Sequence, residues 1–152
     1  MKHRAAGMYL LMGLLVVVGC GGGSGSGGGT TPSTSVSTTS PYDMGPRAFE
    51  APINDALATK GEELFKSKTC STCHGFGVRI TGPDLKGVTH RRTSQWMTQQ
   101  ILNPGVMTKQ DPIAKQLLGT YAVQMPKLPV TPDDAQSLIE YLKKKDKELG
   151  AQ

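Results

Sequence analysis

The sequence predicts an all-α domain in which four or so short helices are joined by long loops. Apolar residues recur at helical spacing, capping residues precede those stretches, and no stretch alternates long enough to predict a strand. Proline and glycine are concentrated between the predicted helices, and loops of such length in a small domain indicate that they surround something. The chain has 152 residues, so one domain is expected.

Four stretches have helical patterns, at residues 54–68, 94–102, 111–118 and 131–144. The first follows Asn54, a suitable N-cap, and the second begins at Ser94 as a capping serine and stops before "NPG". The third begins with "DP", which supplies an N-cap and a proline for the first helical position. The fourth begins with "TPDD", where Thr131 and Asp134 form a capping box. It carries an apolar stripe of Ala135, Leu138, Ile139 and Leu142.

The N-terminus is predicted to be an export signal. Lys2 and Arg4 precede the apolar run "MYLLMGLLVVVG", which is shorter than the roughly 20 residues of a membrane span. The run ends in "VVGC", which resembles a bacterial lipobox. That resemblance implies a signal peptide over residues 1–19 and lipid on Cys20 as the first mature residue. The alternative is a signal anchor with an inert Cys20.

Residues 20–49 are predicted to be the lipidated cysteine followed by a flexible tether rich in glycine, serine, threonine and proline. The folded unit is placed at residues 50–149. Loss of Lys2 and Arg4 from the 17 basic residues leaves 15 against 12 acidic ones, a formal charge of +3. This mild balance and the export signal argue against a nucleic-acid partner.

The motif "CSTCH" at residues 70–74 is the strongest chemical signal in the chain. A structural zinc site would need two further ligands, and beyond the pair the folded part offers only His74 and His90. A redox disulfide is expected at the end of a strand, whereas this pair follows a predicted helix. C-x-x-C-H is the attachment motif of haem c. Cys70 and Cys73 would then bond the two vinyl groups of one haem, with His74 as the proximal iron ligand.

The order of motifs along residues 53–145 resembles the class I, monohaem c-type cytochromes. The matching stretches are "GEELFKSKTCSTCH", "TGPDLKG", "QWMTQQILNP", "QMPKL" and "TPDDAQSLIEYLKK". The resemblance implies a cytochrome c fold wrapped around one covalently bound haem. It implies that the Pro83 carbonyl accepts a hydrogen bond from His74. It also implies that the first and last helices cross at Gly61, with Phe65 and Tyr141 packed nearby. Asp84 stands where an asparagine is frequent in the family.

The resemblance implies Met125, in the loop before the last helix, as the distal iron ligand. Met107 is the alternative, and an open iron or one bound by His90 is a further one. Arg91, Arg92 and the indole N–H of Trp96 are candidates for binding the haem propionates. The choice between the two arginines stays open.

These expectations describe an exported, membrane-tethered electron carrier rather than an enzyme. Histidine–methionine ligation raises the potential of a haem iron and leaves no open position for a substrate. Partners would be respiratory complexes or other cytochromes, met outside the cytoplasmic membrane and in the periplasm where there is one. The alternative is a haem-based gas-binding or sensor module, which needs a labile distal ligand. A peroxidase is a weaker third choice, because a second attachment motif is lacking.

Overall fold

The computed structural model describes residues 39–152, and this part of the chain is entirely helical. Two 3₁₀ turns, Ala48–Glu50 and Cys70–Thr72, accompany six α-helices, and residues 39–152 contain no strand. The helices are α1 (Asp55–Ser67), α2 (Val88–Arg91), α3 (Ser94–Leu102), α4 (Pro104–Gln110), α5 (Pro112–Tyr121) and α6 (Pro132–Glu148). The predicted all-α class is confirmed. Within the same residues, no helix is both long and apolar enough to cross a membrane.

Helices α1 and α6 cross at Gly61, as the resemblance implied. A Cβ atom at this position would collide with the carbonyl of Ser137 and would lie 2.8 Å from Tyr141 Cβ. The glycine therefore permits a backbone approach that any side chain would prevent. Three aromatic rings pack beside the crossing. The ring centroid of Phe65 lies 5.4 Å from that of Tyr141 and 5.6 Å from that of Phe76.

The N-terminal ends of α1 and α6 are held by the predicted caps, Asn54 and Thr131. Asn54 Oδ1 accepts a hydrogen bond from Leu57 N at 3.1 Å. Thr131 Oγ1 accepts from Asp134 N at 3.2 Å, and Asp134 Oδ2 accepts from Thr131 N at 3.1 Å, which completes the capping box. These bonds satisfy backbone N–H groups that the first helical turn cannot pair internally.

The middle of the chain contains more helix than the sequence predicted. The "NPG" that was read as a stop ends α3 at Leu102 and also begins α4, because Pro104 occupies the first helical position, where it loses no bond. The short helix α2 was likewise missed. Thr93, rather than Ser94, caps α3, since its side chain accepts from Trp96 N. Helix α5 begins at the predicted "DP" and extends to Tyr121.

The folded unit begins about ten residues earlier than the predicted boundary at residue 50. Ser40 and Ala48 are each only 2% exposed, and Ala48 belongs to the main hydrophobic core. Asp43 Oδ1 accepts from Thr93 N at 2.8 Å, and Thr93 Oγ1 donates to the carbonyl of Tyr42. This part of the predicted tether therefore packs on the domain, because its few apolar and acidic groups find long-range partners. The signal peptide, Cys20 and residues 21–38 lie outside the described residues.

We expect Gly61→Ala to lower the free energy of unfolding of the mature protein by about 2 kcal/mol or more, since a Cβ overpacks the crossing. The matched control is Gly119→Ala in α5, where a Cβ would meet no atom within 4 Å. That change should leave stability equal or up to about 1 kcal/mol higher. Denaturant titration measures both. Equal effects of the two substitutions would contradict the close crossing.

Candidate functional site

The predicted attachment motif forms a single tight turn directly after α1. Thr69 adopts a left-handed conformation with φ of 59°, which turns the chain out of the helix. Cys70–Thr72 then form the 3₁₀ turn, and the N–H groups of Cys73 and His74 both donate to the Cys70 carbonyl at 3.2 and 3.0 Å. One turn therefore places both thiols and the imidazole next to each other.

His74 is oriented by the loop that follows the motif. Its Nδ1 lies 2.9 Å from the carbonyl oxygen of Pro83, which is the contact that the resemblance implied. Because a carbonyl only accepts, Nδ1 carries the proton and Nε2 is left with a lone pair for a metal. Such a fixed acceptor orients a ligating imidazole and makes it more basic.

The loop is itself held by hydrogen bonds and by a close approach. Gly82 N donates to the Cys73 carbonyl at 2.8 Å. Asp84 Oδ1 accepts from Gly77 N at 2.7 Å and from Lys86 N at 2.9 Å, so the acidic residue organises the loop and leaves the Pro83 carbonyl available. A Cβ at Gly82 would lie 2.8 Å from His74 Cε1, which leaves room for glycine alone beside the ring.

A deep cleft opens next to this turn, between the α1–α6 crossing and helices α3 and α5. The space between its walls, counted out to its open mouth, is about 1240 Å³. Most of the predicted site residues lie in its wall, namely Cys70, His74, Pro83, Arg91, Arg92, Trp96 and Met125. Cys73 is half-buried in the adjoining turn. Apolar side chains of α3, α5 and α6 form the rest of the wall, including Met97, Ile101, Leu117, Leu138 and Leu142.

Met97, Met107, Met125 and His90 differ in their position relative to the cleft. Met125 lies in the cleft wall with His74, whereas Met107 is 1% exposed inside the main core and is not part of the wall. Met97 is buried in the same core. His90 stacks on Phe49 with ring centroids 3.9 Å apart and does not line the cleft. Of these four side chains, Met125 and Met97 line the cleft together with His74, and Met97 is also packed into the core.

The candidates for propionate binding are not equivalent. Trp96 Nε1 donates to Asp111 Oδ1 at 3.1 Å, and this bond is buried. The prediction that its N–H binds a propionate is therefore corrected, because an indole has one donor and Asp111 already accepts it. Arg92 lies 3.3 Å from Asp43 Oδ2 and over the Trp96 ring. Arg91 donates to the backbone carbonyls of Lys86 and Asp84.

The thiols lack the features of a redox or zinc site. They are not bonded to each other, and burial raises the pKa of Cys70, whereas reactive redox cysteines have a lowered pKa. Over residues 39–152, no three His, Cys, Asp or Glu side chains are grouped to hold a metal ion. The apolar cleft lies beside two cysteines and a histidine. This arrangement suits a prosthetic group that contains a metal ion and occupies the cleft.

Comparison with known proteins agrees with this geometry. The sequence profile of the cytochrome c family matches residues 58–146. The chain belongs to the cytochrome c family. Cytochrome c-551 of Stutzerimonas stutzeri is 35% identical over 95 residues, which are 59% of this chain and 81% of that protein. Cytochrome c-551 of Ectopseudomonas mendocina is 36% identical over 87 residues, 54% of this chain and 93% of the relative. The structure of cytochrome c from Rhodothermus marinus superposes with a TM-score of 0.61 at 32% identity, covering 67% of this chain and 96% of that one.

As a cytochrome c, the chain carries one haem c, bonded through Cys70 and Cys73. The apolar wall of the cleft and the His74 ring, whose Nδ1 is bound to the Pro83 carbonyl, fit this group. Sequence reasoning missed Gln100, which lines the cleft, and Asp111, which holds Trp96. The spacing of Trp96, Met97, Gln100 and Ile101 on α3 was the available signal for Gln100, because these positions share one helical face.

We expect Gly82→Ala to disturb the iron environment of the holoprotein, because the new Cβ pushes on the His74 ring. The visible absorption spectrum should show a smaller low-spin fraction, and thermal unfolding of the holoprotein should begin earlier. Gly119→Ala, which adds the same methyl group in open space, should leave both unchanged. A normal spectrum for Gly82→Ala would show that the ring does not depend on this approach.

Proposed function

We propose that this cytochrome is a class I monohaem electron carrier whose iron is bound by His74 and Met125. The observation that carries the proposal is that both side chains lie in the wall of one cleft, with His74 oriented by the Pro83 carbonyl. Met107, the alternative ligand, is enclosed in the core instead. Two protein ligands would occupy both axial positions and leave no open place for a substrate.

In this role the haem supplies one-electron chemistry, and the chain supplies its position and surroundings. Cys70 and Cys73 would hold the group beside the turn, and the bond from His74 Nδ1 to the Pro83 carbonyl would orient the ring so that Nε2 is the ligating nitrogen. The apolar wall limits solvent access and so stabilises the form with the smaller net charge.

We propose Arg91 as the residue that meets a haem propionate. Its guanidinium lines the cleft and donates only to backbone carbonyls, and among the described residues no carboxylate lies within ion-pair distance of it. Arg92 is already paired with Asp43. A propionate would therefore supply the counter-ion that Arg91 lacks.

The matched pair Met125→Leu and Met107→Leu tests the distal ligand, since both remove one sulfur at similar volume. The dithionite-reduced parent should bind carbon monoxide weakly or not at all, because both axial positions are taken. Met125→Leu should bind it readily and lose the spectral signature of sulfur ligation in the ferric state. Met107→Leu should keep the parent's behaviour.

Two outcomes would overturn this assignment. Loss of the sulfur signature in Met107→Leu alone would move the ligand to Met107. Ready carbon monoxide binding by the parent would favour a gas-binding or sensor module with a labile distal ligand.

We further propose that the carrier is exported, held to a membrane by lipid on Cys20, and passes electrons to respiratory complexes or other cytochromes. The export signal and the "VVGC" motif support the anchor. Because packing of the domain begins near Ser40, the tether is the chain between Cys20 and that residue. A glycine- and serine-rich segment of that length has a typical span of about 24 Å. Such a tether would keep the domain close to membrane partners, met by weak and transient docking.

Intact mass spectrometry of the protein extracted from membranes tests the anchor. We expect a mature chain that begins at Cys20 and carries acyl mass. Cys20→Ser should lose both the acyl mass and the processing before residue 20, whereas Ser24→Ala should keep both. A parent chain with an unmodified Cys20 thiol would contradict the lipid anchor and leave the electron-carrier proposal standing.

A further inference from the structure

An amide side chain faces the sulfur of Met125 from the other side of the cleft wall. Gln100 Nε2 lies 3.9 Å from Met125 Sδ, within reach of an N–H donor to a sulfur acceptor. Both residues line the cleft. Gln100 is on α3, 25 positions before Met125, so the contact joins a rigid helix to the loop between α5 and α6.

A glutamine at position 100 lowers the stability of the fold unless its amide group has a function. Trp96, Met97 and Ile101 share its cleft-facing side of α3, and all three are largely apolar. The Gln100 Oε1 atom is buried and has no hydrogen-bond partner among residues 39–152. A buried oxygen without a partner costs roughly 1–3 kcal/mol. An apolar residue would avoid this cost, so the donor group is the feature that accounts for glutamine here.

The loop that carries Met125 has few other ties to the body of the domain. Between Ala122 and Val130, its remaining hydrogen bonds to α3, α4 or α5 are Ala122 N to the Leu118 carbonyl and a 3.5 Å contact of Gln124 with Thr108. Met125 itself is followed by Pro126, which contributes no N–H donor. The contact with Gln100 therefore fixes the one side chain of the loop whose place matters for the iron.

We propose that Gln100 is a positioning residue that donates a hydrogen bond to the thioether of Met125, and that this bond both retains the ligand and raises the reduction potential. The inference rests on the proposed ligation by Met125. A donor draws electron density from the sulfur, which then donates less to ferric iron, and the reduced state gains relative to the oxidised one. The thioether is a weak acceptor, so the effect on the potential is a tuning effect.

Gln100→Leu removes the donor at similar volume, and Gln95→Leu is the matched control. Gln95 is an exposed residue of the same helix that does not line the cleft. Leucine at position 100 also removes the unpartnered oxygen, so folding is not endangered. Thermal unfolding of both variants checks this point.

The sign of the change in potential decides the proposal. Loss of a polar group alone makes the cleft drier, which disfavours the extra charge of ferric haem and raises the potential. Loss of the hydrogen bond lowers it. We expect Gln100→Leu to reduce the ratio of reduced to oxidised protein at a fixed potential by about threefold, which is about 28 mV at 59 mV per tenfold. It should also speed carbon monoxide binding to the reduced protein. Gln95→Leu should change neither.

The failure of this inference can be told apart from the failure of the proposed function. If Met125→Leu leaves the sulfur signature intact, Met125 is not the ligand and both ideas fall. If Met125→Leu abolishes that signature while Gln100→Leu raises the potential or leaves it unchanged, ligation stands and the hydrogen bond is refuted. A lowered potential in Gln100→Leu with unchanged thermal stability supports the bond.

Discussion

The fold depends on an apolar cleft in a small domain. The side chains of the domain line this cleft but do not fill it. Helices α1 and α6 form one side of this space, and α3 and α5 form the other. Two hydrophobic clusters contribute to its walls. One is formed by Phe65, Leu138 and Tyr141 of α1 and α6, and the other includes Trp96 and Met97 of α3 and Leu142 of α6. A domain of this size buries little surface, so a bonded group that joins both clusters adds a large part of the core.

The polar groups around the cleft explain why its two sides keep their shape. Asp146, 1% exposed on α6, accepts from Gly87 N, Thr89 N and the Thr89 hydroxyl at 2.6–3.0 Å. This carboxylate ties the last helix to the start of α2, next to the loop that presents Pro83. Asp43 does the same on another side, by accepting from Thr93 N and pairing with Arg92. Each such bond crosses a long stretch of sequence, so the frame around His74 is held from several elements at once.

The sequence was sufficient for the features that depend on local spacing. The C-x-x-C-H turn and the caps at Asn54 and Thr131 follow from residues within one helix or turn. The sequence did not predict contacts between residues that are far apart in the chain, because no local pattern indicates them. The packing of Ser40 and Ala48 needed partners far along the chain, and the composition of the preceding stretch pointed to a tether. Trp96 was a candidate for binding a propionate, and no sequence pattern indicates that its N–H reaches Asp111, 15 positions further along the chain.

In the part of the chain that the structure describes, the buried polar side-chain atoms that lack a hydrogen-bond partner lie at or next to the cleft for which the function is proposed. Among the described residues, the buried side-chain atoms without a partner are Gln100 Oε1 and Asp111 Oδ2. Gln100 is in the cleft wall, and Asp111 holds Trp96, which is also in that wall. Elsewhere the buried charges, such as Lys143 with Glu140 and the Pro52 carbonyl, are fully engaged. Natural chains accept unsatisfied groups chiefly at functional sites, because the stability lost there is exchanged for a property that packing cannot provide. On the proposed ligation by His74 and Met125, that property is control over the position of the Met125 sulfur.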